Sequence, residues 1–497
     1  MGTDLYSWLS RCRDACGVRK IYLSPLLVRL PALLLCVASL SFGACATAPA
    51  VLPDPRTMAF PTLPLAPPQP RRIVLENGLV VLLLRDQEVP LVRVQALVRT
   101  GGVLEPADKV DLAEITGRVM RSGGTARYAG PEINRILESL GAVLETGIGR
   151  QSGTASLSVL TPDLPLGIDL LAEVLRRPVF DAAEVERVKA RKIEEIRRGN
   201  DEPDAIAFRE FRTAVYGDDP RGRQSSPEMA AAITRDDLVA FHARSFFPER
   251  TLLGVSGDFD EEELLALLRR HFGDWRPSGE PAPHFPVPDR PPRAGVFLTA
   301  KSLPQSTIVM GHLAPPKNSP DFYAFSVLEH ILGGSGFGSR LMSEIRSNRG
   351  LAYSVGSFYR GDIGYGVFGA YCMTKSASTL EAARLMRGII ARVRDEGVSA
   401  EELRRAKDAI VNNLIFSVDA TAEVVSQRLG FAYDGLPEDF LERYRDRIEA
   451  VGLEDVRRVA QRFLRPEALS TVVVGEEAAL AGLDEFGPAT RITLRRY

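Results

Sequence analysis

From Arg71 to Gly101 the apolar residues fall in short runs and alternations of strand length, which predict a meander. RRIVLENGLVVLLL sets Asn77-Gly78 between two apolar runs, the signal of a two-residue hairpin, and Leu91 to Thr100 alternates as a third strand. The period then lengthens. Asp111 to Met120 and Pro131 to Leu140 space their apolar residues as helices do, the first closed by Ser122-Gly123-Gly124-Thr125. Gly153 to Leu160 alternates again. Leu164 to Arg176, Ala182 to Arg198 and Arg235 to Ser245 predict helices, and Thr251 to Ser256 predicts a strand that ends in Gly257-Asp258.

Trp275 to Arg293, WRPSGEPAPHFPVPDRPPR, breaks the pattern, because its prolines exclude a helix or a central strand. It divides the body into 71–275 and 294–497, with 276–293 as linker. The second part repeats the first. FDAAEVERVKARKIEEI at 180–196 aligns with VSAEELRRAKDAIVNNL at 398–414, an offset of 218. LLGVSG from Leu252 parallels TVVVG from Thr471, and DLAEITGRVMRSGG from Asp111 parallels YAFSVLEHILGG from Tyr323 with small gaps. The expected fold class is α+β: two homologous halves, each an antiparallel sheet with helices packed on one face.

One stretch of the second half carries candidate chemistry, SRLMSEIRSNRGLAYSVGSF from Ser339 to Phe358. Ser339 is a good N-cap, Leu341, Met342 and Ile345 give a short helix one apolar face, and Gly350 suits the residue past its end. From Ala352 the residues turn β-prone. Arg346 then lies on the last helical turn and Tyr353 at the mouth of the strand. A guanidinium and a phenol converging on one point could hold a peptide carbonyl or its oxyanion. On spacing alone, a surface arginine and a half-buried strand tyrosine are the plainer reading.

RxxRGLAYSV after a Gly-rich loop and SRL resembles the C-terminal half of the pitrilysin/insulinase family of zinc metallopeptidases, in its compact bacterial and mitochondrial-processing type; the resemblance extends from about Arg71 to Gly475. It implies two halves enclosing a cleft, and an Arg and a Tyr, here Arg346 and Tyr353, that bind substrate and assist a zinc site in the other half. It also implies H-x-x-E-H on the first long helix, where two His one turn apart hold Zn²⁺ and the Glu activates water. This chain reads Glu114-Ile115-Thr116-Gly117-Arg118 there. Glu114 and Arg118 replace the histidines and Gly117 replaces the base; a guanidinium cannot ligate a metal. The family's third ligand is matched by Glu195, which reads equally as a surface carboxylate or a partner of Arg118.

The second half contains a near copy, Ser326-Val327-Leu328-Glu329-His330, with serine in place of the first histidine. It sits on a helix capped by Ser319, opened by Pro320 and closed by Gly333-Gly334, and reads as ordinary residues of the repeat-equivalent helix. His242, His271, His284 and His312 show no ligand spacing among themselves. Gly333-Gly334-Ser335-Gly336-Phe337-Gly338 lacks the lysine and register of a phosphate loop. By resemblance it forms a flexible wall of the substrate cleft, with Gly333, Gly334 and Gly336 binding substrate; a mere turn between helices is the plainer alternative.

Composition adds compartment rather than chemistry. The 497 residues, 45% hydrophobic and 25% charged with formal net charge −2, are ordinary for a globular protein and give no sign of a nucleic-acid partner. Residues 1–44 read as a targeting signal, with a basic segment from Arg11 to Arg29 and an apolar core from Leu30 to Ala44 too short to span a membrane. Phe42-Gly43-Ala44-Cys45 resembles a lipobox, with Phe42 where leucine is typical. Lipid on Cys45 would anchor the protein in a bacterial envelope, facing the periplasm at the outer membrane; the alternative is a secretory signal cleaved after Ala46 or Ala48. Residues 45–70, rich in Ala and Pro, read as a tether. Of the five cysteines only Cys372 falls in the folded body, so no disulfide framework is possible there.

The resulting expectation is a subunit without zinc or other cofactor of its own. It would pair with a homologous zinc-bearing subunit in a heterodimer and lend Arg346 and Tyr353 to that partner's site on an extended peptide. A catalytically inactive scaffold or peptide-binding envelope protein is the alternative. A self-sufficient peptidase would have only Glu114, Glu195 and Glu329 as raw material for a metal.

Overall fold

A computed structural model of the protein describes residues 67–288 and 292–495. The predicted signal segment, Cys45 and the tether up to residue 66 lie outside the described residues. The first half builds a sheet from β1 (Arg71–Val74), β2 (Val80–Arg85), β3 (Leu91–Val98), β4 (Val143–Ile148), β5 (Gly153–Leu160) and β6 (Thr251–Gly257). Its order is β1-β2-β6-β3-β5-β4. The second half uses β7 (Gly295–Ala300), β8 (Gln305–Ala314), β9 (Ala352–Gly361), β10 (Gly366–Lys375), β11 (Ser470–Gly475) and β12 (Ala489–Arg491) in the order β12-β7-β11-β8-β10-β9. Five strands of the two orders correspond at the repeat offset, so that edge strand β4 matches edge strand β9, while the opposite edge is the N-terminal β1 in one sheet and the C-terminal β12 in the other.

The expectation of antiparallel sheets needs correction at three ladders. β2 pairs with β6, and β7 with β11 and β12, in parallel. The reason is the return of the last strand. β6 and β11 come back through helices and insert into the sheet interior, which a crossover permits and a hairpin does not. β12 comes from the C-terminal tail. At the first turn, Val74 pairs with Val80 and Leu75 N bonds Leu79 O at 2.9 Å, so the loop is Glu76-Asn77-Gly78 with Gly78 at φ 88°. It has three residues rather than two because the Asn77 amide turns inward and donates to Phe272 O at 2.7 Å and Trp275 O at 3.1 Å.

Six helices matter below: α1 (Leu112–Ser122), α2 (Ala182–Arg198), α3 (Pro203–Tyr216), α4 (Phe322–Glu329), α5 (Ala400–Leu414) and α6 (Thr421–Asp434). Asp181 starts α2 by accepting from the amides of Ala183 and Glu184, both at 3.0 Å. One face of each sheet packs on helices of its own half, giving one core between Leu75 and Trp275 and another between Val296 and Leu483. The opposite face is covered by a helix of the other half. Ile206, Phe211 and Val215 of α3 pack on Phe297, Val309, Val367 and Val472 of the second sheet. Val425 and Leu429 of α6 close on Gly254 of β6, where a Cβ would stand 2.5 Å from Val425 Cγ1. The exchange is reciprocal, and the two helices stand at the same 218-residue offset as the rest of the repeat.

Among the described residues 276–288 there is no helix or strand; this segment is tied down where Arg221 Nη2 donates to Pro286 O at 2.7 Å. No helix of the described residues is long and apolar enough to cross a membrane.

Candidate functional site

Helix α1 carries the positions that the resemblance assigns to zinc. Its first turn is capped from outside the helix: the Glu105 carboxylate accepts from the amides of Asp111 at 3.2 Å and Ala113 at 3.0 Å. Burial nevertheless pushes the Glu105 carboxyl up to about 7. One turn into the helix, Arg118 closes the site. Its Nη1 and Nη2 bind the two oxygens of Glu195, on α2, at 2.7 and 3.0 Å, and its Nη2 also binds Glu114. Lys192 Nζ lies 2.7 Å from the other oxygen of Glu114 and 3.4 Å from Asp111. The hydrogen bond from Arg118 holds the Glu195 carboxyl below its ordinary range. Glu195 and Arg118 therefore form the pair that the sequence allowed as an alternative to a metal ligand.

These residues do not fit the zinc ion that the resemblance implies. Both carboxylates able to ligate are engaged by a guanidinium that stands where the second histidine would. Gly117 makes the loss of the base a matter of backbone as well. A Cβ there would lie 2.2 Å from Ile148 N of β4, and Thr146 Oγ1 donates to Gly117 O at 2.7 Å. Strand β4 rests directly on the helix at the position of the missing glutamate. Among the described residues no group of three or more His, Cys, Asp or Glu is placed to hold a metal.

The repeat-equivalent helix is built differently. Ser326 turns its hydroxyl back onto Phe322 O at 2.8 Å, so it faces its own helix. Glu329 accepts from Ser357 Oγ of β9 at 2.7 Å, and burial raises its carboxyl above the ordinary range. The chain then widens into a π-helical turn over His330–Gly334. Burial lowers the His330 imidazole, whose Nε2 is buried without a partner. Here the close approach to the edge strand is made by Gly333, whose Cβ would meet Ser357 N at 2.3 Å. Gly334 stands against the Glu329 carboxylate, and Gly336 turns the chain at φ 57° with open space beside it. Glu329 is on a different half from Glu114 and Glu195, so the three glutamates do not gather. His312 is buried and His242 half-buried, each with a ring nitrogen 2.9 Å from a backbone oxygen, and removal from solvent lowers both to about 4.

The Ser339–Phe358 stretch folds as its sequence predicts, with one change: the helical turn over Met342–Ser347 is of the wide π type. Ser339 Oγ accepts from Met342 N at 3.4 Å, Gly350 ends the turn at φ 64°, and β9 begins at Ala352. Arg340 anchors the turn by binding both oxygens of Glu402, at the start of α5, at 2.7 and 2.9 Å; that contact holds the Glu402 carboxyl down to about 2. Arg346 has no acidic partner among the described residues. Its guanidinium lies over the Phe337 ring, 5.2 Å from the centroid, and 3.8 Å from Met342 Sδ. Phe337, in the Gly-rich loop, is 73% exposed, and Tyr353 on β9 is 81% exposed with a hydroxyl that bonds nothing among the described residues. Tyr353 is thus more open than the half-buried residue that spacing alone allowed. Phe337 was missed; an aromatic alone in a run of glycines was the available signal.

Fold and site together define a duplicated α+β protein of metallopeptidase build whose own metal helix is shut by an ion pair. Comparison with known proteins agrees. The family described as insulinase, peptidase family M16, matches residues 80–226, and the peptidase M16 inactive domain matches residues 232–410. An uncharacterized zinc protease of Mycobacterium bovis is 29% identical over 413 residues, covering 81% of this chain and 93% of that protein. One from Bacillus subtilis is 23% identical, covering 81% and 98%. Among solved structures, a peptidase M16 inactive domain from Pseudomonas fluorescens superposes with TM-score 0.76 at 24% identity, covering 82% of this chain and 98% of that one. The periplasmic protease PqqL of Escherichia coli superposes with TM-score 0.71 at 17% identity, covering 92% and 51%. The chain belongs to the insulinase family, peptidase family M16.

Proposed function

We propose that this chain is the non-zinc subunit of a two-subunit M16 peptidase, anchored through lipid on Cys45 on the periplasmic side of a bacterial envelope. It binds an extended peptide along the Gly333–Gly336 loop and lends Arg346 and Tyr353 to the site of a homologous zinc-bearing partner. The observation that carries the reading is the contrast in one chain between a metal helix neutralised by Arg118 and an Arg/Tyr pair left open. In this role Arg346 orients the scissile carbonyl and offsets negative charge, with Phe337 holding its guanidinium flat. Tyr353 donates its hydroxyl to the oxygen on which charge develops, a bond that strengthens as the carbonyl becomes tetrahedral. The partner's zinc supplies the activated water.

A pull-down of the tagged chain from native envelope tests this, with zinc quantified. An equimolar H-x-x-E-H homologue, with zinc in the complex and none in this chain alone, is the expected result. In that complex Tyr353→Phe and Arg346→Ala should each lower turnover by roughly 10²-fold or more; unchanged turnover would sink the assignment of these residues.

A second reading, a catalytically silent scaffold or peptide-binding envelope protein, is favoured by the match of residues 232–410 to a domain described as inactive. Recovery of the chain without a zinc-bearing homologue would select it.

A further inference from the structure

Beside α1 lies a cavity of about 820 Å³, within the size range of ligand pockets, walled by α1, α2, α3, the turn after β4 and the C-terminal residues Ile492–Arg495. Its acidic residues are all committed. Glu105 caps α1, Asp111 and Glu114 take Lys192, and Glu195 takes Arg118. Glu210 accepts from Arg209 at 3.1 Å and from Gln224 at 3.0 Å.

Arg209 and Arg221 are paired with carboxylates and Arg223 donates to Glu105 O at 3.1 Å, whereas Arg150, Arg212 and the C-terminal Arg495 are not committed. Arg150, in the turn between β4 and β5, and Arg212, on α3, line the cavity and have no acidic hydrogen-bond or ion-pair partner among the described residues. Arg212 Nε is buried without any partner. Removal from solvent, followed by the charge of Arg150, pulls the Arg212 guanidinium down to about 10, with Glu210 opposing weakly. Arg150 is likewise held down, first by removal from solvent and then by neighbouring charges that include Arg360 of the other half. Arg150 stays exposed at the cavity rim and Arg212 is half-buried; like charges lining one cavity without a counterion repel, and the unsatisfied buried Nε of Arg212 adds its own cost. A carboxylate relieves both at once, because its two oxygens match the fork of a guanidinium.

We propose that Arg150 and Arg212 form a carboxylate-binding subsite in this cavity, which takes a carboxylate of the bound peptide. The inference rests on the peptide-binding reading above. The carboxylate can be the peptide's C-terminus or an Asp or Glu side chain, and the test separates these sources. Three fluorescent peptides of one apolar sequence are titrated into the full chain: one with a free C-terminus, one amidated, and one amidated with a single internal Glu.

At least one carboxylate-bearing peptide should bind about tenfold tighter than the neutral amide, a difference of about 1.4 kcal/mol. Arg212→Gln should erase that preference. Arg150→Gln, on a surface turn where folding is not at stake, should reduce it in the same direction. Preference for the free acid identifies a C-terminal carboxylate, and preference for the Glu peptide identifies a side chain. Equal binding of all three peptides, or a preference that survives both substitutions, overturns the subsite and leaves peptide binding standing. Binding of none of them overturns the peptide-binding reading, and the subsite with it.

Discussion

Helices α1 and α4 occupy equivalent places in the two halves, and each meets its own edge strand through a glycine. At α1 the contact is Gly117 on Ile148, in the position of a catalytic base. In the second half it comes one turn later, at Gly333 on Ser357, and the residue matching the base is a buried Glu329 held by that serine. The first half spends its charges on itself, through Arg118, Glu114, Glu195 and Lys192. The second, among the described residues, leaves Arg346 without an acidic partner and the Tyr353 hydroxyl unbonded. A self-neutralised cluster is a structural element; an unpaired cation and an exposed phenol are available to an external group. The comparison teaches that in one half the backbone lies directly over the helix that carries the ion pairs, whereas the opposite half presents its polar groups.

The sharpest way to break this comparison is to restore the base. Gly117→Glu should destabilise the protein by about 3 kcal/mol or more, because the side chain must displace the β4 backbone. Chemical denaturation measures it, and an unchanged midpoint would mean that β4 yields freely and that the closure is not structural.

The next effect is the pH dependence that Glu105 contributes from the first half. Glu105 has a folded-state value of about 7 against an ordinary 4.5. Its native form therefore holds a proton that the unfolded chain has already released. Its contribution to stability is fully present below about pH 4.5 and is lost as pH rises through about 7. Glu105→Gln should flatten that part of the stability profile, and a profile with the same slope would remove Glu105 as its source.

Smaller effects sharpen the contrast between the two arginines. Arg118→Ala should cost about 1 kcal/mol, since the network it holds is partly solvent-screened and leaves two carboxylates facing each other. Arg346→Ala should change stability by no more than about 0.5 kcal/mol. If the two substitutions cost the same in one denaturation series, the distinction between a closed and an open site fails.

Much of this was legible in the chain. The bounds of Leu164–Arg176 and Ala182–Arg198 follow from prolines, caps and apolar spacing, and the structure reproduces them. The 218-residue repeat anticipated two matching sheets. The pairing of Arg118 with Glu195 was readable as one of the alternatives for that carboxylate. Parallel pairing of β6 and β11 was not readable, since a strand returning through a helix gives no local sign of its neighbour. Helices α3 and α6 were also missed. Each packs on a sheet of the other half, so its apolar residues answer to a surface distant in sequence. The repeat itself was the usable signal, because adding 218 to 203–216 gives 421–434. Arg150 and Arg212 reach one cavity only through folding, and single arginines carry no pattern.

The reciprocal placement of α3 and α6 also bears on how the chain is made. During synthesis the first sheet is complete in strands once Gly257 has emerged, yet one of its faces stays bare until Thr421–Asp434 arrives. The part of that face on β2, β6 and β3 lacks its cover for the interval, and late contacts of such long sequence separation slow folding. A chain truncated after the linker would leave Gly254 and its neighbours on β2 and β6 without the cover that Val425 and Leu429 provide.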